Sequence, residues 1–284
     1  RLRPQDTASH HPELLNPERQ RIVQVDIEPR NAGWTVPVEM GLVGDAKAVL
    51  AQILEATRME DDREPREREH KILDLDERRK ELRFFEDSPG LGSDQSPVLP
   101  QRLVRLLQEN VDPSTMMTLD AGNNRVWMYH FYQSQRPATF LNPGGIAGMG
   151  WSIPAAVAAK LLNPERPIMA VTGDGGFVMT SNAISTAVQY GLPVVIVVFN
   201  DGGLGMVREN QRPNLIASEF VDTNHAKICE AYGGWGVQVD DPRDLPAAIH
   251  DSFRQDQPAV VDVKVDRFEE FRQFRAGVSE FARR

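Results

Sequence analysis

Asp174 stands between two glycines at the end of an apolar run, and Asp201 follows Asn200 at the end of the next such run. Carboxylates at the ends of neighbouring strands are hard oxygen donors. Magnesium takes one or two such groups together with phosphate oxygens, rather than an all-protein cage. Three polar, glycine-rich turns could gather around that ion: residues 120–124, 173–176 and 200–205. Small residues let backbone N–H groups approach an anion closely, and helix N-termini after such turns favour negative charge. A magnesium-bridged diphosphate is the ligand these residue types fit. Taken alone, Asp174 is as readily a helix cap or a turn former. The turns carry no P-loop Lys-Ser/Thr, and no G-x-G-x-x-G follows the first strand, which argues against a nucleotide module. The specific signal is the pair of aspartates with a helix and a strand between them.

The elements that would position the pair alternate in type. Strands are expected over 167–172, 194–199, 236–239 and 259–265, with a short apolar run at 116–119. Helices are expected over 103–107, 149–162, 180–190, 224–232 and 245–253. Residues 194–199 are almost wholly apolar and β-branched, as a strand buried on both faces should be. Such alternation predicts an α/β fold, a doubly wound parallel sheet with helices on both faces. Ligands in these sheets sit beyond the carboxyl ends of the strands, where the three turns lie.

The region before this sheet is different. A strand is expected over 21–27 and a helix over 46–55, with Asp45 as its N-cap. This pair reads as the end of a second α/β domain, over 1–56, which cannot bury a core by itself. Mixed charges at helical spacing over 57–97 predict a solvated linker helix and then a boundary rich in Gly, Ser and Pro, and a binding surface is the alternative there. The sheet domain then spans 98–284.

Composition excludes other classes. The chain has 284 residues, 40% hydrophobic and 26% charged, with a net charge of −9, so nucleic acid is not the expected partner. No apolar run approaches the roughly 20 residues that cross a bilayer, so no membrane is expected. The single Cys229 allows no internal disulfide and fits a reducing cytoplasm. No histidine falls at metal-ligand spacing, and His130 and His225 are expected to be structural or capping.

The segment GDGGFVMTSNAISTAVQYGLPVVIVVFND, residues 173–201, resembles the signature of thiamine-diphosphate enzymes. LNPGGIAGMGWSIPAAVAAKL, DAGNNRVW, GLGMVRENQ and RIVQVDIEPRNAGWTVPVEMGLVGDAKAVLAQIL are each similar to segments of acetolactate synthase large subunits. The resemblance covers nearly the whole chain. It implies metal binding through the Asp174 and Asp201 side chains and the Gly203 carbonyl. It implies a diphosphate lined by Gly122, Asn123, Asn124, Gly175 and Gly176, with Gly173, Asn200, Leu204 and Gly205 also at the cofactor. The Ala147 carbonyl and the Met149 N–H would meet the aminopyrimidine edge. Met206 would wedge beneath the cofactor and hold it bent, with the core methionine as the alternative. The implied reaction is decarboxylation of a 2-oxo acid such as pyruvate and its joining to a second 2-oxo acid, a step of branched-chain amino acid biosynthesis. A decarboxylase or oxidase of the same superfamily is the alternative. The resemblance leaves FAD open as a further cofactor. It also implies a homodimer or homotetramer with shared active sites.

Three departures qualify it. Asp201 stands where the family usually has Asn; the added carboxylate should strengthen the metal's hold while repelling the phosphates, and Asp201→Asn should keep cofactor binding. Glu209-Asn210-Gln211 stands where anabolic synthases carry Gln-Trp-Gln, so the acceptor pocket is expected to be more polar or more open. The cofactor-activating glutamate of the family lies in an N-terminal pyrimidine-binding domain that matches nothing here. Either that domain belongs to the same longer protein, which the orphan strand and helix over 1–56 favour, or a second polypeptide supplies it. A non-catalytic cofactor-binding fragment is the remaining reading.

Overall fold

The computed structural model describes residues 16–59, 73, 77, 90–144 and 146–269. They fall into two compact units, one within residues 1–82 and the other within 83–280.

In the first unit, β1 (Val23–Asp26) and β2 (Met40–Val43) pair in parallel, with Val23 opposite Met40, and α1 (Ala46–Met59) follows. The Asp45 carboxylate accepts the Ala48 N–H at 3.1 Å, the expected N-cap. The sequence pattern anticipated one strand; β2 went unnoticed because it is short and flanked by turn residues. Val36 is the buried hydrophobic residue of this unit among the described residues, while Leu50, Ile53 and Leu54 of α1 are exposed. Most of the charged segment anticipated as a linker helix lies outside the described residues.

The second unit is a six-stranded parallel sheet in the order β4-β3-β5-β6-β8-β7. Its strands are β3 (Met116–Leu119), β4 (Phe140–Leu141), β5 (Ile168–Gly173), β6 (Val195–Asn200), β7 (Trp235–Val239) and β8 (Ala259–Lys264). The helices are α2 (Pro100–Asn110), α3 (Asn123–Phe131), α4 (Ser152–Leu162), α5 (Asp174–Thr180), α6 (Ala183–Gln189), α7 (Gly205–Gln211), α8 (His225–Ala231) and α9 (Leu245–Ser252). Successive strand side chains point to opposite faces. Met169, Val171, Val195, Val197, Val261 and Val263 therefore meet Leu103, Leu107, Trp127 and Ile249 on one face. Ile168, Ala170, Ile196, Val198 and Val260 meet Ile153, Phe177, Ile184 and Cys229 on the other. The result is the expected parallel sheet with helices on both faces.

Two helix boundaries differ from the sequence expectation, and both matter. The helix expected from 149 begins at Ser152, because Ala147 (φ 54°) and Gly150 (φ 78°) hold left-handed conformations that cannot continue a helix. The helix expected over 180–190 is two: α5 starts at Asp174 directly from β5, and α6 follows a break at Ser181 and Asn182. Glycine is a poor helix former, which hid α3, α5 and α7 behind their glycine-rich starts.

Cys229 is fully buried, and burial pushes its thiol up to about 12. It should resist a thiol reagent at pH 8 in the native chain and react fully in denaturant, since the thiolate is the reactive form. Rapid native labelling would contradict this placement.

Candidate functional site

β3 leads to β4 at one edge, and the chain then crosses to β5 on the other side of β3. This reversal is the switch point at which open α/β sheets bind ligands. A cleft of about 170 Å³ opens there. Gly122, Asn123 and Asn124 line it after β3, Gly173 to Gly176 after β5, and Asp201 and Gly203 to Met206 after β6, with Met149 beside them.

Local backbone geometry explains the glycines. Gly122 caps α3 at φ 128°, a conformation L side chains rarely adopt. At Gly175 a Cβ would collide with Leu204 and Met149, both of which close onto the first turn of α5. Gly203 pairs antiparallel with Glu219, through bonds from Leu204 N to Ser218 O and from Phe220 N to Gly202 O. Its carbonyl lies outside that ladder.

Asp174 is 3% exposed and opens α5 as its first residue, while Gly173 occupies the cap position. Its Oδ2 accepts the Asp201 N–H at 3.0 Å, so the carboxylate reaches to the neighbouring turn rather than capping its own helix. Burial, then the nearby Asp201 carboxylate, raises Asp174 from 3.8 to about 7. Burial also raises Asp201, and Arg208 opposes that rise. Among the described residues no cluster of three or more His, Cys, Asp or Glu side chains is placed to hold a metal by itself. Two carboxylates and a carbonyl therefore fit an ion whose remaining ligands are phosphate oxygens and water.

A pH dependence follows. The folded chain keeps the Asp174 proton up to about 7, whereas an unfolded carboxyl releases it near its ordinary 3.8. The stability this group contributes is full below that lower value and is lost as pH rises to about 7. A bound divalent cation favours the carboxylate and reverses the trend. Magnesium with a diphosphate ligand should thus raise the melting temperature more at pH 8 than at pH 5.5. Equal shifts at both would exclude Asp174 as a ligand.

Met206 lies on the first turn of α7, 37% exposed and facing the cleft, so it is not a core methionine. Ala147 and Asn200 do not line the cleft. Ala147 sits in the strained turn before α4, where backbone groups are not used by a helix. The Asn200 amide points away, donating to Thr223 O at 3.1 Å and to Asp262 Oδ1 at 2.8 Å. Asn123 donates to Glu209 at 2.6 Å, and the Asn210 amide folds back to the Met206 carbonyl at 2.7 Å.

Four groups support the site from behind, by contacts that the sequence reading did not anticipate. Asp120, fully buried, binds the loop before α4 to the end of β3. His225, expected to be structural or capping, is 1% exposed; its Nδ1 is 3.2 Å from Asp262 Oδ1, and its Nε2 is 3.9 Å from Asp174 Oδ1. Arg208 is 2% exposed and donates to Asp201 Oδ2 at 2.6 Å. Asp262 alone left a signal, a carboxylate inside a buried apolar strand that needs a partner.

Residues 120–263 match the family model described as "Thiamine pyrophosphate enzyme, C-terminal TPP binding domain". The chain is 30% identical over 266 residues to a probable acetolactate synthase large subunit of Methanococcus aeolicus, covering 87% of this chain and 43% of that protein. It is 31% identical over 252 residues to a putative thiamine pyrophosphate-containing protein, YdaP, of Bacillus subtilis, covering 88% and 43%. It is 30% identical over 260 residues to the acetolactate synthase isozyme 3 large subunit of Escherichia coli, covering 86% and 43%. The chain thus spans less than half the length of these relatives.

Proposed function

The chain belongs to the thiamine pyrophosphate enzymes, and we propose that it serves a magnesium-dependent decarboxylation of a 2-oxo acid, pyruvate in the first instance, with transfer to a second 2-oxo acid. The observation that carries this reading is the pairing of buried Asp174 with half-buried Asp201 at the switch point, with Met206 lining the same cleft. Asp174, Asp201 and the Gly203 carbonyl hold the metal. Gly122, Asn123, Asn124, Gly175 and Gly176 receive the diphosphate. The Ala147 carbonyl and Met149 N–H take the aminopyrimidine edge, and Met206 sets the bend between the two rings. When bound, the cofactor supplies an electron sink for the carboxyl group that leaves. The protein orients it and excludes water. A pyrimidine-binding domain, in cis or in trans, and a second copy of the chain complete the site, in the cytoplasm. FAD stays open.

A decarboxylase or oxidase is the second reading. The Asn210 side chain folds onto its own helix, where its amide donates to the Met206 carbonyl, so position 210 places no aromatic ring against a second oxo acid. Pyruvate turnover with thiamine diphosphate and Mg2+, with the pyrimidine-binding domain present, separates the two. Acetolactate supports carboligation; acetaldehyde or peroxide supports the second reading. Cofactor binding with no turnover of any 2-oxo acid would sink both and leave a non-catalytic module.

A further inference from the structure

Asp201 brings a second carboxylate to a cleft that must accept a polyanion. The chain answers with Arg208, whose side chain is 3% exposed. Its short contact is Nη2 to Asp201 Oδ2 at 2.6 Å. The other contacts are long: 3.5 Å to the Asp201 carbonyl, 3.5 Å to Glu219 and 3.4 Å to the Arg267 carbonyl. The backbone is shaped for this contact. A Cβ on Gly205 would collide with Asp201 Oδ2, so the glycine lets the carboxylate lie against the first turn of α7, toward Arg208. A buried ion pair is seldom better for stability than apolar residues of the same volume. The guanidinium is therefore best explained by what it does to the carboxylate.

We propose that Arg208 is a positioning residue for the metal site: it holds Oδ2 of Asp201, leaves Oδ1 to the cation, and cancels the second negative charge that would otherwise repel the diphosphate. The pair then presents the cleft with one oxygen donor and no net charge. The same helix carries Met206, so the contact also ties the wedge to the metal ligand. This rests on the assignment of Asp201 as a ligand. It revises the expectation from sequence, in which Asp201 adds an unmatched charge and Asp201→Asn is harmless.

The test is calorimetric titration of thiamine diphosphate into the full chain at saturating Mg2+, with circular dichroism to score folding. Arg208→Met should weaken binding by about tenfold to a hundredfold, the usual loss when a partner of a metal ligand is removed. Asp201→Asn should also weaken it, because it leaves a buried guanidinium unmatched. The double variant Asp201→Asn with Arg208→Met should return close to wild type, and Arg208→Lys should keep most of the affinity. A merely structural pair would move the melting temperature and leave the affinity of the folded protein unchanged. Wild-type affinity in Arg208→Met, or a double variant no better than it, overturns the proposal. Should Arg208→Met not fold, the double and lysine variants decide: failure of both to bind overturns it. Asp174→Asn is the control. If it binds as wild type, or if wild type shows no metal-dependent binding, the site assignment falls and the proposal with it. If it loses binding while Arg208→Met keeps it, the proposal alone falls.

Discussion

Asp174→Asn should abolish magnesium-dependent binding of thiamine diphosphate while raising the melting temperature of the metal-free chain. The two effects have one cause. The side chain is buried, and burial together with the Asp201 carboxylate holds its acid form up to about 7, so its ionisation near neutrality works against the fold. An asparagine has the same shape, and its carbonyl oxygen can still accept the Asp201 N–H that Oδ2 accepts now at 3.0 Å. It removes the charge that repels Asp201 and with it the charge that attracts the cation. Losing a partner of a metal ligand typically costs about tenfold to a hundredfold in affinity, so losing the ligand itself should cost more than about a hundredfold. Stability gained by neutralising a site residue is the usual trade between function and fold. Calorimetry and thermal melts at pH 8 check both halves. Retained metal-dependent binding would remove Asp174 from the site. A lowered melting point would mean that its carboxylate supports the fold.

How much of this was readable from sequence depends on how each contact is made. The central strands were legible because β5, β6 and β8 are apolar runs with almost no polar interruption. The turns at their carboxyl ends were legible because glycine and aspartate cluster there. Those two facts placed Asp174 and Asp201 on one side of one sheet. What sequence could not supply was side-chain direction. Arg208 sits in the polar run Arg208-Glu209-Asn210-Gln211, and nothing in that run marks one of its side chains as buried. It is buried because residues 218 and 219 return to pair with the turn at Gly203 and cover it. His225 reads as a residue of a helical first turn, and its position behind Asp174 arises only when α8 is laid against β8 and Asp262. Asn200 is the opposite case. The motif marks it as a cofactor residue, and the strand's alternation turns its amide to Asp262, away from the cleft.

Asp120→Ala should do the greatest damage to the fold, about 3–5 kcal/mol, because it leaves several donors at the sheet end without their acceptor. Asp120 Oδ1 accepts the N–H groups of Ala121 at 2.7 Å and Gly150 at 2.9 Å. Its Oδ2 accepts from Ser152 N at 3.3 Å and lies 3.0 Å and 3.3 Å from the Ser152 and Thr172 hydroxyls. Asp120, Ser152 and Thr172 are fully buried at this end of the sheet. Alanine would strand these donors away from water, each worth about 1–3 kcal/mol. A drop of about 10 °C in melting temperature follows from the scaling for a unit of this size. Asparagine would not rescue the loss, because its NH2 group would face a backbone N–H wherever it turned. The effect should also reach the ligand. The Gly150 N–H is the tether of the loop that carries Ala147 and Met149, and Ser152 begins the helix behind it. Where Asp120→Asn still folds, it should therefore bind thiamine diphosphate more weakly than inorganic pyrophosphate relative to wild type, since two of the three backbone N–H groups that Asp120 holds, those of Gly150 and Ser152, tie down the aminopyrimidine loop and one, that of Ala121, belongs to the diphosphate turn. Equal losses for the two ligands would show that Asp120 supports the sheet end as a whole and not that loop in particular.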